Sequence, residues 1–457
     1  MGKATTGRGR GKGAEDASST LSEDCDTLLS RMKIAQAVRQ NDCNAMREIL
    51  QRALNDNHGK AASGGAFNNV TIAIQDDVTI EKSLGESFTG GRSTPVYHVA
   101  CTVERTQATK TIHKKRHFVV KLVTMPDDKS PSEQQRRESY AVEGRFYSSR
   151  NEDMLQLLRG HELNLTIPRL LQNDLDPIKP WPCFCILMND VSQQFPVHPQ
   201  FLSVAQVKSA LLWIARFHAA CWGSSKQQDC LLWTRGGFWT PKDATGQVLN
   251  HATISNTSWL GTVRFLEQKH PNILTPATKG LGKRIEKAGL AISTFLSTQS
   301  STIIHGDFKA ANMFFKRIPD IDADISSDDV AVLDFQYTGG GVGAEDVAYL
   351  LYPDARGDFW SSESDLLQTY YDELISQLIA QRKGGPSTLS FAEFVRHYEL
   401  ARLDMTRHWL SKHGWVASTS GEAQLVRVLE ESMDRLDGGS SLANQEEYLA
   451  ALERFAR

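Results

Sequence analysis

"IIHGDFKAANMFF", residues 303–315, places a histidine, an aspartate, a lysine and an asparagine between two apolar runs. Ile303-Ile304 reads as the end of one short strand, and Met313-Phe314-Phe315 as the start of another. His305 to Asn312 is then the loop between them. Charged and amide side chains on a tight loop between buried strands cost desolvation unless each has a task. A hairpin with turn-favouring Asp and Asn is one reading. The order His305-Gly306-Asp307, then Asn312, then Asp334 in "VAVLDFQ" suggests another.

That second reading has a physical basis. Phosphoryl transfer needs a carboxylate beside the attacking hydroxyl, and Asp307 fits as the base. It also needs oxygen ligands that hold Mg²⁺ on the phosphates. Asn312, five residues on, can turn its amide oxygen toward the metal, and Asp334 supplies a second oxygen from the end of the following strand. Upstream, Lys121 stands in the apolar strand "FVVKLV". It is either an edge lysine that reaches back to water or a buried charge with a partner. Glu143 in "YAVEGRFY", on the next helical stretch, is either a surface residue or that partner. A strand lysine fixed by a helix glutamate is how protein kinases hold the α- and β-phosphates of ATP.

Composition narrows the class. The chain has 457 residues, 40% of them hydrophobic and 23% charged, as in a soluble globular protein of two or three domains or one bilobal unit. A formal charge of −3 offers no basic field for nucleic acid. No apolar run reaches the length of a membrane span. "MGKATTGRGRGKGAEDASST" lacks the apolar core of a secretory signal, fits myristoylation poorly, and reads as a flexible basic tail. Seven scattered cysteines, odd in number and without zinc-ligand spacing, suit a reduced, cytoplasmic protein. Cys183 and Cys185 in "WPCFCILM" share one face of a buried strand. The Asn-X-Ser/Thr triplets at Asn69, Asn164 and Asn256 are treated as chance.

Four stretches follow along the chain: a tail at 1–20, a helical extension at 21–58, a strand-rich region at 59–188, and a mostly helical region at 189–457. Strands are expected at "VTIAIQ", "VTIEKSL", "PVYHVACTV", "HFVVKLVTM", "FCILMND" and "VAVLDF". No internal repeat is apparent.

With these residues in order, the chain resembles the aminoglycoside phosphotransferase and choline kinase-like superfamily, especially its ecdysteroid-kinase-like branch. "HGDFKAANMFF" and "VAVLDFQYTGGGVGAEDVAYLL" carry most of the resemblance, joined by "YAVEGRFY", "IARFHAACWG" and "LLQTYYDEL". It covers about residues 70 to 400 and implies an α+β, bilobal protein-kinase-like fold, with a small antiparallel β N-lobe and a large, mainly helical C-lobe. It implies ATP with Mg²⁺ and phosphorylation of a small-molecule hydroxyl. Under it, Lys121 matches the ATP lysine and Glu143 its partner, and Met188 joins the nucleotide-binding set. Asp307 matches the base; Asn312 and Asp334 match the metal ligands. His305 and Asp346 support the catalytic loop, and Asp346 also suits an N-cap.

The phosphate-covering loop is not a clean G-x-G-x-x-G. "ESFTGGRSTPVYHV" offers Gly90, Gly91 and Ser93, whose small side chains let backbone N–H groups approach phosphate oxygens. Lys309 stands two residues after the base, as in protein Ser/Thr kinases, where it sits near the transferred phosphate; the branch often has an aromatic there. A protein kinase is disfavoured, because only Tyr337 to Ala344 separate "DFQ" from "ED" and no A-P-E appears. A pseudokinase scaffold is the other alternative, but the lysine, base and metal aspartate are all kept. The helical insertion before the catalytic loop offers a small-molecule pocket, although its aromatics, such as Trp213, Phe217, Trp239 and Trp259, fill cores routinely. "DIDAD" at 320–324 lacks the Gly and Glu of a calcium loop, and "GGGVG" at 339–343 lacks a phosphate-loop context and reads as a mobile lip.

Overall fold

Five strands pair into a single sheet. They are β1 (Val70–Ile74), β3 (Val96–Gln107), β4 (Lys110–Thr124), β5 (Leu170–Asn173) and β6 (Cys183–Asn189). They lie in the order β1-β3-β4-β6-β5, and β2 (Thr79–Lys82) adds to β3 beside β1. Every pairing is antiparallel. The computed structural model describes residues 33–62, 70–83, 95–124, 131–148, 158, 165–173, 183–224, 229–240, 256–269, 274–317, 326–351, 361–411 and 422–455. β4 starts at Lys110, well before the expected His117, and stays paired with β3 to a turn at Ala108. "KTIHKKR" is exposed on both faces, so it carries no core-facing period to read.

The pleat assigns each side chain a face. Phe118, Val120 and Leu122 of β4 join Cys185 and Leu187 of β6 in one apolar cluster. Val123, Phe184, Ile186 and Met188 belong to another. Lys121 therefore shares the second face. The first face is covered by α1 (Lys33–Gln40) and α2 (Cys43–Ala62), whose Ile34, Val38, Met46, Ile49 and Leu50 are buried in the same cluster. Each such side chain contributes about 1.5–3 kcal/mol of burial. The Gln51 side chain also pairs with β1: its Nε2 donates to Ile72 O at 2.6 Å, and its Oε1 accepts from Ile74 N at 2.8 Å.

Below the sheet lie α3 (Pro131–Tyr147) and a mostly helical body. Its helices are α4 (Val204–Cys221), α5 (Asn256–Lys269), α6 (Pro276–Thr298), α7 (Ala344–Leu351), α8 (Glu363–Ala380), α9 (Phe391–Ser411), α10 (Glu422–Asp437) and α11 (Gln445–Phe455). Capping boxes start two of them, Ser203 with Gln206 for α4 and Thr275 with Thr278 for α6. The main apolar core runs from Val142 and Phe146 of α3, through Trp213 and Phe217 of α4, to Leu296 and Leu374. Trp213, Trp239 and Trp259 are fully buried in it. The architecture is thus a bilobal α+β one. Among the described residues, no helix is long and apolar enough to cross a membrane.

Two small sheets sit within the helical body. β7 (Thr302–Ile304) pairs with β10 (Gly339–Gly341), and β8 (Met313–Phe315) pairs with β9 (Val330–Val332). The opening stretch is therefore not a hairpin; its loop crosses from one sheet to the other. "VAVLDF" ends as a strand at Val332, and Asp334 takes a left-handed φ of 68°, which no strand accommodates. Gly339 to Gly343 are buried, with Gly339–Gly341 strand-paired, rather than forming a mobile lip.

Candidate active site

Lys121 sits where the two lobes meet. Its Nζ lies 2.6 Å from Glu143 Oε2 on α3 and 3.2 Å from Asp334 Oδ1 on the loop after β9. Glu143 is buried, while the Lys121 and Asp334 side chains keep limited exposure. Burial opposes the lysine's charge, but Asp334 and Glu143 outweigh it and raise its pKa. Burial likewise opposes charge on Asp334, yet Lys121, a Gln336 amide and Lys309 together hold its carboxyl below the usual range. Left-handed backbone at a non-glycine residue costs about 1 kcal/mol or more. Here it aims the carboxylate back at the lysine.

The second group comes from the loop between β7 and β8. Asn312 Nδ2 donates to Asp307 O at 2.8 Å and to Asp307 Oδ2 at 3.0 Å. Lys309 Nζ lies 3.0 Å from the same Oδ2. Burial pushes the Asp307 carboxyl above its usual range, with Lys309 pulling the other way. His305 Nε2 donates to Leu333 O at 3.1 Å, and its Nδ1 accepts from the Asp307 N–H at 3.2 Å. Those bonds define the neutral tautomer, which burial also favours by lowering the imidazole pKa. Gly306 takes φ 79°, and a Cβ there would lie 2.2 Å from Tyr337 O. Only glycine fits.

Asp346 braces this loop from α7. Its Oδ2 accepts from His305 N at 2.7 Å and its Oδ1 from Gly306 N at 2.8 Å. The carboxylate is in turn held by His218 Nε2 at 3.0 Å, whose Nδ1 meets Tyr370 OH at 2.8 Å. All three side chains are buried.

The oxygens suit a hard divalent ion. The Asn312 amide nitrogen faces Asp307, which turns its oxygen away, and Asp334 Oδ1 is engaged by Lys121 and Gln336, which leaves Oδ2 as the outward oxygen. Leu333 N donates to Asn312 O at 3.1 Å, so the two candidate ligands sit side by side. Among the described residues, no cluster of three or more His, Cys, Asp or Glu is gathered to hold a metal. Two protein oxygens with phosphate oxygens completing the shell is the usual Mg²⁺ arrangement.

A sequence profile of the ecdysteroid kinase-like family matches residues 93–382, more than half of the chain. The chain belongs to the ecdysteroid kinase-like family. No curated protein matches it. Among solved structures, the GDP complex of aminoglycoside 2'-phosphotransferase-IIIa is similar at 13% identity and TM-score 0.37, over 83% of this chain and 98% of that one. An amicoumacin kinase in complex with AMP-PNP, Ca²⁺ and Ami shows 11% identity and TM-score 0.36, over 76% and 87%. A choline kinase from Cryptosporidium parvum shows 12% identity and TM-score 0.34, over 78% and 88%.

For this ecdysteroid kinase-like chain, Lys121, Glu143 and Asp334 come together, as do Asp307, Lys309 and Asn312, with His305 and Asp346 beneath them. Met188 lies on the Lys121 face of the sheet, opposite Val119, in the main core. Gly90, Gly91 and Ser93 lie outside the described residues, as does "DIDAD". Sequence reasoning missed His218, Tyr370 and Gln336. His218 carried a signal, an imidazole on a helix otherwise apolar around it, in "IARFHAAC". Tyr370 carried none.

Proposed function

We propose that the protein is an ATP-dependent small-molecule kinase that moves the γ-phosphoryl group of ATP to a hydroxyl of a metabolite. The observation that carries this reading is Lys121 Nζ held between Glu143 and Asp334. Such a lysine is a fixed positive charge at the cleft, suited to the α- and β-phosphates. Asp307 then serves as the base, accepting the hydroxyl proton from the acceptor. Lys309 neutralises charge on the transferring group, and Asn312 and Asp334 offer their oxygens to the metal. When bound, Mg²⁺ neutralises the phosphates and aligns them. Met188 lines the nucleotide side. His305 and Asp346 keep the Asp307 backbone in place.

The acceptor class is an amino alcohol, a sterol-like alcohol or an aminosugar. The near-balanced charge gives no support for nucleic acid as a partner. Free cysteines at 43, 101, 185, 221 and 230 support a reducing, cytoplasmic setting.

The test is a metabolite extract incubated with γ-labelled ATP and purified protein. Label should move to a small molecule, and Asp307→Asn should abolish the transfer. No labelled product from diverse extracts, or equal labelling by the variant, overturns the proposal.

A further inference from the structure

The segment from Leu231 to Thr240, between α4 and α5, touches the Glu143 helix, the loop after Asp334, the loop that carries Asp307 and the start of α7. It lies backbone to backbone on β10. Trp233 N donates to Thr338 O at 3.1 Å, Gly340 N to Trp233 O at 3.1 Å, and Gly236 N to Gly340 O at 2.8 Å. These bonds give β10 a second neighbour opposite β7. The approach leaves no room for side chains: a Cβ on Gly339 would lie 2.2 Å from Trp233 O, and one on Gly236 would lie 2.6 Å from Ile304 Cγ1. Further along, Gly237 N donates to Tyr337 O at 3.1 Å, and Phe238 N donates to Gly306 O at 3.0 Å, inside the catalytic loop.

Its side chains extend the grip. Trp233 Nε1 donates to Gln336 O at 2.9 Å, two residues after Asp334. Arg235 is buried and makes a two-pronged ion pair with Glu345, the neighbour of Asp346. At its two ends the segment meets α3. Arg145 Nη1 donates to Leu231 O at 3.2 Å, and Gln135 Nε2 donates to Thr240 O at 3.3 Å. Leu231 is half-exposed yet left-handed, with φ 54°. An exposed leucine gains nothing by that conformation itself. It turns the carbonyl toward Arg145, two residues from Glu143.

We propose that Leu231–Thr240 is a positioning strap that docks the Glu143 helix onto the Asp334 and Asp307 loops. Trp233, Arg235 and Arg145 are its positioning residues. The strap holds the helix that carries Glu143, and with it the Lys121–Glu143 pair, against the two loops. Its value for catalysis rests on the kinase reading above; its mechanical role does not.

The experiment uses full-length protein, amide hydrogen exchange, and calorimetry with AMP-PNP and Mg²⁺. Trp233→Phe keeps the ring and removes the donor to Gln336. Arg145→Gln removes the cationic donor to Leu231, and Arg145→Lys restores one. In Trp233→Phe and Arg145→Gln, exchange across residues 139–147 should rise by up to about tenfold, with α6 and α9 unchanged, as expected for losing one hydrogen bond. Nucleotide affinity should weaken about tenfold in the same variants, and Arg145→Lys should recover part of both. Unchanged α3 exchange in both variants overturns the strap. So does a uniform rise over all helices with lower melting, since that reports stability rather than position. If the wild-type chain itself fails to bind AMP-PNP with Mg²⁺, the kinase reading falls, and the exchange data still decide the strap.

Discussion

The ring of Phe146 lies flat on that of Phe335, with centroids 3.9 Å apart and planes 9° from parallel. Phe146 is one helical turn beyond Glu143, and Phe335 follows Asp334 directly. One ring stack thus indexes both carboxylates that hold Lys121. Phe146→Ala should lower stability by about 3–5 kcal/mol and also weaken nucleotide binding. Phe146→Leu should retain much of the stability and less of the binding. Denaturant unfolding and calorimetry read the two separately; a fully stable alanine variant would mean the stack does not join the lobes.

Under the proposed function, nucleotide binding should depend on divalent metal, because the proposed ligands, the Asn312 amide and the Asp334 carboxylate, supply only part of a metal shell and the phosphates complete it. Calorimetric titration with ATP should show affinity dropping sharply on chelation. Asp334→Ala should bind equally weakly with and without Mg²⁺. A wild-type protein indifferent to chelator would remove Asp334 from the metal site.

Asp307→Asn keeps the side-chain shape and loses proton acceptance. Turnover should fall by about a hundredfold or more, with nucleotide affinity nearly unchanged. Near-normal turnover would exclude Asp307 as the base.

Lys309 contacts Asp307 Oδ2 in the folded chain. If its charge serves the transferring phosphoryl group, Lys309→Ala should lower single-turnover rates by about tenfold to a thousandfold. Lys121→Ala, measured beside it, should act mainly on nucleotide affinity. A rate within about threefold of wild type would remove Lys309 from the transfer step.

A pH effect on stability is expected at the sheet. The hydrogen bond that His98 Nδ1 donates to Asp190, at 3.4 Å, raises the His98 pKa above its ordinary 6.5. A raised imidazole pKa contributes stability that is fully present below the unfolded value and is lost as pH rises through the folded one. The His98 side chain is 46% exposed, so solvent screening limits the effect to about half a kcal/mol. Unfolding midpoints should fall slightly from pH 6 to pH 8.5, and His98→Gln should flatten that slope. An identical slope in the variant would assign it to other groups.

The legible part of the site was the part with short-range chemistry. Asp307 and Asn312 lie five residues apart on one loop, and Lys121 stood out because a charge broke an apolar strand. The pairing of Lys121 with Glu143 was reachable because consecutive elements tend to pack together. The support beneath them was not legible. His218 meets Asp346 across 128 residues, Tyr370 meets His218 across 152, and Arg235 meets Glu345 across 110. No period or spacing encodes such contacts. The left-handed turn at Asp334 was hidden as well, because "VAVLDF" reads as one strand until its hydrogen bonds are traced.

Gln51 acts like part of a neighbouring strand with a single amide, answering two of the backbone groups, Ile72 O and Ile74 N, on the edge of β1. The family match begins at residue 93, which invites a shortened version of the protein for laboratory work. Such a shortening would strip α1, α2, β1 and β2 from the sheet together. What remained would show a bare apolar face and an open strand edge, the two features that drive chains to aggregate. The elements that precede the matched region therefore cover the face and the edge by which one copy of the sheet would meet another.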